Sequence, residues 1–180
     1  MVIESVNIVR AEESNLQLVW DLSHITFIET YRGSCSDEDL QHFLDDCFSE
    51  DALLQELKDP KDFYFIAFAD GFPAGYMRLK EDYADYPDIT KYNALELKRI
   101  YVLKEYHRHK IGAGLMQFAM QLALEKKFEA VWLGVWEENE TAIEFYKQSG
   151  FIDTMARHTF YIGKTAQTDL WMMKFLRHIK

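Results

Sequence analysis

The stretch WLGVWEENETAIEFYKQSGF, Trp132 to Phe151, changes its period in the middle, and that change organises the chain around it. Its first part, extended upstream to AVWLGVW (Ala130 to Trp136), is a continuous apolar run of strand length and reads as a buried strand. From Asn139 to Ser149 the pattern is helical: Asn139, Ala142 and Tyr146 share one face by their spacing, and Gly150 supplies the stop. A buried strand followed at once by a helix is a building unit of layered α/β proteins.

Outward from this unit the same alternation recurs. A helix from about Ile111 to Lys127 buries Leu115, Phe118, Ala119 and Leu122, and a strand, LELKRIYVL (Leu95 to Leu103), precedes it. That strand does not alternate cleanly enough to show which face each side chain occupies. Upstream of the acidic, tyrosine-rich loop EDYADYPDITKYN (Glu81 to Asn93), the segments Phe63–Ala69 and Ala74–Leu79 flank Asp70-Gly71 as a hairpin. The chain opens with a strand over Val6–Arg10 and a helix over Glu12–Tyr31, where Leu18, Leu22 and Ile25 recur at helical spacing. Ser36 starts a second helix with Leu40, Phe43, Leu44 and Cys47 as its apolar stripe, and a short third helix over Ser49–Lys58 ends before Pro60. Downstream, ARHTFYIG (Ala156 to Gly163) and TDLWMMKFL (Thr168 to Leu176) form a closing pair of strands. The order predicts a mixed α/β sheet with helices crossing between strands.

The 180 residues suit one domain spanning 1–180, since no repeat, low-complexity tract or Pro/Ser-rich linker divides them. Cys35 and Cys47 form no CxxC pair and have no repeated Cys/His spacing around them, so reduced thiols are expected and a metal site is not. No apolar run approaches the ~18 residues of a membrane span, and the start lacks a signal-like core, so a cytoplasmic protein is expected. A formal charge of −10 argues against nucleic acid as a partner, because that affinity comes largely from basic residues on phosphates. It favours a cationic partner, or serves solubility alone.

The stretch YHRHKIGAGLM, Tyr106 to Met116, sets His107, Arg108, His109 and Lys110 before Gly112 and Gly114 at a helix entrance. Helix-terminal amides point partial positive charge outward, and glycines let backbone approach a ligand, so an anion such as pyrophosphate suits the place. A Rossmann turn is excluded: Gln117 stands where the third glycine belongs, and about nine residues separate Val102 from Gly112. No GxxxxGK[ST] occurs, which excludes a Walker loop.

With these residues in view, the chain resembles the GNAT superfamily of acyl-CoA-dependent N-acetyltransferases. Val102, His107, Lys110 and Gly112 stand at the places of its pyrophosphate-loop pattern [Q/R]xxGx[G/A], although His107 replaces the usual Gln or Arg and Lys110 the first glycine. A left-handed backbone at Lys110 would cost about 1 kcal/mol or more. Asn139, Ala142, Phe145, Tyr146, Gly150 and Phe151 match the later motif NxxAxxFYxxxGF. WLGVWEENETAIEFY and HTFYIGKTAQTDLWMMKFL look most like the PaiA-type polyamine N-acetyltransferases, which implies spermidine or spermine as substrate.

The resemblance implies a GNAT fold, with a mixed, mostly antiparallel central sheet and helices on both faces, and acetyl-CoA as cosubstrate. It implies that Tyr146 protonates the departing thiolate, that Glu96 is a basic carboxylate with a water relay as the alternative route for the proton, and that Ile100, Tyr101 and Val102 hold the pantetheine with strand-like hydrogen bonds. Asn139 would contact the same arm, and His107, Arg108, His109, Lys110, Ile111, Gly112, Ala113 and Gly114 would cradle the pyrophosphate. For a polyamine, carboxylates interleaved with aromatic faces are needed, and Glu29, Tyr31, Glu81, Asp82, Asp85, Trp136 and Glu137 are the candidates. A small-molecule amine is thus the expected partner. Members of the superfamily are often dimers, so a homodimer is the assembly the resemblance implies. Two alternatives stay open from sequence: acetylation of a protein N-terminus, peptide or amino acid, and a non-catalytic acyl-CoA-binding module.

Overall fold

The computed structural model describes residues 2–81 and 87–176, so Asp82 and Asp85 lie outside the described residues. The hairpin of β2 (Asp62–Ala69) and β3 (Phe72–Lys80) turns on Asp70 and Gly71, whose φ angles of 49° and 85° give the left-handed pair that a two-residue hairpin needs. β1 (Val6–Arg10) adds antiparallel to β2, and β4 (Ala94–Val102) pairs antiparallel with β3. α5 (Ile111–Glu125) then crosses to β5 (Ala130–Trp136), which runs parallel to β4, as a helical crossover allows. β7 (Thr165–Phe175) pairs antiparallel with β5, and β6 (Ile152–Ile162) forms the outer edge, giving the order β1-β2-β3-β4-β5-β7-β6. The mixed, mostly antiparallel sheet expected from sequence is therefore present.

Strand alternation sends side chains to two apolar layers. Phe63, Phe65, Leu79, Leu95, Leu97, Val131 and Leu133 pack against Leu115 and Ala119 of α5 and against Tyr146 of α6 (Glu140–Gln148). On the other face Tyr64, Ile66 and Tyr76 meet α1 (Leu16–Tyr31), α2 (Asp37–Cys47) and α3 (Glu50–Lys58). A one-turn helix, α4, occupies Pro87–Thr90. Helix starts fall where their caps put them: Ser36 accepts from the Asp39 amide and Ser49 from the Ala52 amide.

Three details differ from the sequence reading. Glu13–Asn15 is a 3-10 turn, and α1 buries Val19, Leu22, Ser23, Thr26 and Phe27 and leaves Ile25 47% exposed. Thr26 lies inside because its hydroxyl donates to the Leu22 carbonyl, 2.7 Å away. β6 begins at Ile152, before a bulge between Asp153 and Arg157 that shifts its register. The irregular alternation of β4 also has a cause: Arg78 opposes Arg99 while Leu79 opposes Leu97, so Lys98 is an extra residue. The bulge keeps Leu95, Leu97, Ile100 and Val102 against the α5 layer and turns Arg99 and Tyr101 to the α1 side.

Arg99 enters a buried ionic cluster. Arg78 holds Asp62 through two bonds of 2.9 and 2.8 Å and reaches Glu56, while Arg99 meets the other Glu56 oxygen at 2.8 Å and the Tyr64 hydroxyl. Burial alone would raise the Glu56 carboxyl, but the two guanidiniums bring it below its ordinary value. Two carboxylates and two guanidiniums balance, and they tie α3 to β2, β3 and β4. Arg78→Met should lower stability by about 3 to 5 kcal/mol by stranding Asp62, and adding Asp62→Leu should restore much of it. Urea unfolding of the two variants checks this.

Candidate active site

β4 and β5 are paired only from Ala94–Ala130 to Glu96–Trp132, after which the strands part. The Leu103 amide donates to Ala74 of β3 at 2.9 Å, so by alternation Tyr101 also faces β3, while Ile100 and Val102 turn their polar groups into the gap. Of the three strand residues expected to hold a pantetheine, Ile100 and Val102 therefore offer backbone groups there, and Tyr101 does not. The Val102 carbonyl is engaged by His107, whose Nε2 lies 2.8 Å away and donates as the Nε2–H tautomer. That contact closes the loop between β4 and α5.

The loop takes the strained path its sequence foreshadowed. Arg108 (φ 67°) and Lys110 (φ 62°, ψ 11°) are both left-handed, and Lys110 is the N-cap of α5 without a capping side chain. Each conformation costs a non-glycine residue about 1 kcal/mol or more. The first α5 amides, at Ile111, Gly112 and Ala113, precede the first helical bond, in which Gly114 donates to Lys110 at 2.9 Å. Neither Gly112 nor Gly114 is required by the protein itself. A methyl on Gly112 would meet Phe145 and Val102 only at 3.8 Å, and one on Gly114 would meet nothing within 4 Å. Free amides, exposed Arg108 and Lys110 and half-buried His109 beside them, and glycines that leave open space, fit a pyrophosphate.

Phe145 and Tyr146 divide their positions between loop and gap. Phe145 lies against Gly112, and Tyr146 is buried with its ring edge-on to Phe151, centroids 5.9 Å apart. Burial, then the charge of Asp169, push the Tyr146 phenol well above its ordinary value, so it is protonated at neutral pH and able to donate. Asn139 is the N-cap of α6, its Oδ1 accepting from the Ala142 amide at 3.1 Å. Its amide nitrogen is the part left for a ligand.

The expected acceptor-side residues separate into two groups. Tyr31 and Trp136 come together with ring centroids 5.1 Å apart, and exposed Glu137 follows the end of β5. Glu29 stands at the same end but accepts the Lys104 amide at 3.1 Å, holding the turn after β4. Glu81 is elsewhere: it pairs with Lys126 at 2.7 Å, at the far end of α5, roughly 18 to 21 Å along the helix from the glycines. Glu96 is 3% exposed and its Oε1 lies 3.1 Å from Lys98 Nζ, so the expected basic carboxylate already holds a cation.

Asp169 went unread in the sequence. It opposes Trp136 across β5 and β7, leaves the sheet on the same face, and lays its carboxylate over Gly134, 3.0 Å from where a Cβ would stand. Among the described residues its carboxylate enters no hydrogen bond or ion pair, and burial, partly offset by Lys98, pushes its pKa up to about 6. A lone carboxylate in the apolar run TDLWMMKFL, in a strand where aspartate is disfavoured, was the available signal.

The sequence model of the acetyltransferase (GNAT) family matches residues 20–151. The chain belongs to that family, and is an acetyl-CoA-dependent N-acetyltransferase. It is 35% identical over 171 residues to an uncharacterised N-acetyltransferase of Lactobacillus delbrueckii subsp. lactis, covering 95% of this chain and 98% of that one. It is 27% identical over 151 residues to the spermidine N(1)-acetyltransferase of Thermoplasma acidophilum, covering 82% and 88% of the two chains. Its fold matches the PaiA N-acetyltransferase of T. acidophilum, solved in complex with coenzyme A, with a TM-score of 0.77 at 24% identity over 96% and 99% of the chains.

Gly114→Ala should separate folding from binding. The change should stabilise the helix by about 0.5 to 1 kcal/mol, because alanine restricts the unfolded chain, and should weaken CoA by crowding the cradle. Thermal melting and calorimetric titration with CoA check the two effects, which are expected in opposite directions.

Proposed function

We propose that the enzyme acetylates a primary amine of a small cationic substrate, with polyamines such as spermidine or spermine first. The observation that carries this is the arrangement past the end of the β4–β5 seam. There the Tyr31 and Trp136 rings stand beside the unpaired Asp169 carboxylate, with Glu137 further out. Methylenes favour the rings and ammonium groups favour the carboxylates and the ring faces. Likeness to a spermidine N(1)-acetyltransferase supports the same class.

Acetyl-CoA supplies the thioester. For the cosubstrate, the amides of Ile111 to Ala113 with Arg108, His109 and Lys110 hold the pyrophosphate, and Ile100, Val102 and Asn139 hold the pantetheine. An Ile100 or Val102 amide aimed into the gap polarises the acetyl carbonyl. Tyr146 gives its proton to the sulfur as the C–S bond breaks. A homodimer in the cytoplasm is the setting we adopt from the family resemblance and the composition, with light scattering as the check on assembly.

Tyr146→Phe should lower kcat more than it raises the acetyl-CoA KM, because the phenol matters once charge grows on sulfur. A loss of about 1.5 to 3 kcal/mol is expected, read from steady-state kinetics under conditions where chemistry limits the rate. On the acceptor side, kcat/KM for spermidine should exceed that for an equally long monoamine. The advantage should shrink with salt, because each exposed ion pair is worth only about 0 to 1 kcal/mol and is screened. Equal values at low and raised salt would exclude the polyamine and promote a peptide or amino-acid amine.

A further inference from the structure

We infer that Asp169 is the catalytic base of this acetyltransferase: it binds the acceptor's ammonium group over Gly134 and takes its proton. The inference deepens the proposed function, and rests on its placement of acetyl transfer where β4 and β5 part.

The placement follows from the strand register. Glu96 and Trp132 are the last paired residues of β4 and β5, and Gly134 is the next β5 residue on the same face as Trp132. With no side chain at Gly134, the Asp169 carboxylate lies directly at the opening of the gap. Tyr146 packs in the layer on the opposite side of the sheet, yet its phenol feels the Asp169 charge, as does Tyr31 from α1. A group from each face thus meets in one opening, which a continuous sheet would have closed. One is a carboxylate that has no partner among the described residues, and the other is a protonated phenol.

The groups around it favour this assignment over Glu96. Lys98 on β4 pairs with Glu96, which occupies that carboxylate, while the Asp169 carboxylate forms no ion pair among the described residues. Tyr31 and Tyr146 stay protonated, and His158 opposes Asp169 on β6 with its ring stacked on Trp171. Burial raises the Asp169 carboxyl to about 6, which leaves it mainly ionised at neutral pH and basic enough to accept a proton.

The protons balance. Asp169 takes one from R–NH3+, and the freed lone pair forms the C–N bond as the C–S bond breaks. Tyr146 protonates the sulfur and regains a proton from the nitrogen that has become an amide. Asp169 returns its own proton to water, so one proton leaves per acetyl group transferred.

The test is the pH profile of kcat/KM for the best acceptor among spermidine, a monoamine and a peptide with a free N-terminus, at saturating acetyl-CoA. The wild type should rise to a plateau as Asp169 ionises near pH 6. Asp169→Asn can use only amine that is already neutral, so its kcat/KM should climb about tenfold per pH unit from about pH 6.5 up to the amine's own pKa, about 10 for an alkyl amine and about 8 for a peptide N-terminus. Asp169→Glu should recover part of the plateau. Gly134→Ala, whose methyl would press on the carboxylate at 3.0 Å, should lower the plateau while keeping the carboxylate. His158→Gln should leave the acidic limb in place. An Asp169→Asn profile parallel to the wild type, or an acidic limb lost in His158→Gln, overturns the assignment. If Asp169→Asn melts well below the wild type, the Gly134→Ala rate decides, and an undiminished plateau there overturns it. A wild type that prefers a monoamine or peptide removes the polyamine proposal and leaves Asp169 to be judged by its profile. A wild type that acetylates none of them overturns both.

Discussion

Three backbone pairings, Ala94–Ala130 to Glu96–Trp132, join the two halves of the sheet, and the site exists because there are no more. Further pairing would satisfy the strand groups that turn toward the gap at Ile100 and Val102, and would close the opening. The layers on either side hold the parted strands in place. α5 packs under β3, β4 and β5 through Leu115 and Ala119, and α3 is tied to β2, β3 and β4 through Glu56, Arg78 and Arg99. The gap is therefore held between packed layers with unpaired polar edges, which is what an elongated polar ligand needs.

The local costs gather at one end of this gap. Two left-handed non-glycine residues, Arg108 and Lys110, and two helical glycines that nothing in the protein requires fall within seven residues. In a purely structural loop these choices oppose stability. They become consistent once the free amides of α5 have an anion to hold, because strain and missing side chains both leave room for one. His107 illustrates the trade: it bonds the Val102 carbonyl and so shapes the cradle from inside.

Buried charge serves two ends here. The Glu56, Asp62, Arg78 and Arg99 cluster is neutral and internally bonded, and it fixes helix to sheet. Asp169, a few strands away, is part-buried without such a partner, so its ionised form is held at a disadvantage. A folded-state pKa raised above the unfolded value means that ionisation between about pH 4 and about 6 lowers the stability of the unliganded protein. A cation bound beside the carboxylate would relieve that cost.

Much of this was legible in the sequence, and for a physical reason: periodicity, caps and turn residues act over a few neighbours. Ser36, Ser49, Asn139, Asp70-Gly71 and Gly150 mark boundaries wherever the chain is folded, and the glycines in the first turn of α5 mark a place where backbone can be approached closely. Tyr146 and the loop from His107 to Gly114 could be singled out as candidates because their residues are consecutive or share one helix face. What the tertiary structure decided depends on which strands become neighbours. The bulge at Lys98 is invisible without β3 beside β4, and it alone explains why Arg99 is inward. Glu81 lies beside Lys126 rather than at the gap because β3 runs antiparallel to β4 and ends where the gap is closed. Asp169 reaches the opening only because β7 lies beside β5 and Gly134 carries no side chain, a juxtaposition of residues far apart in sequence that local patterns do not encode.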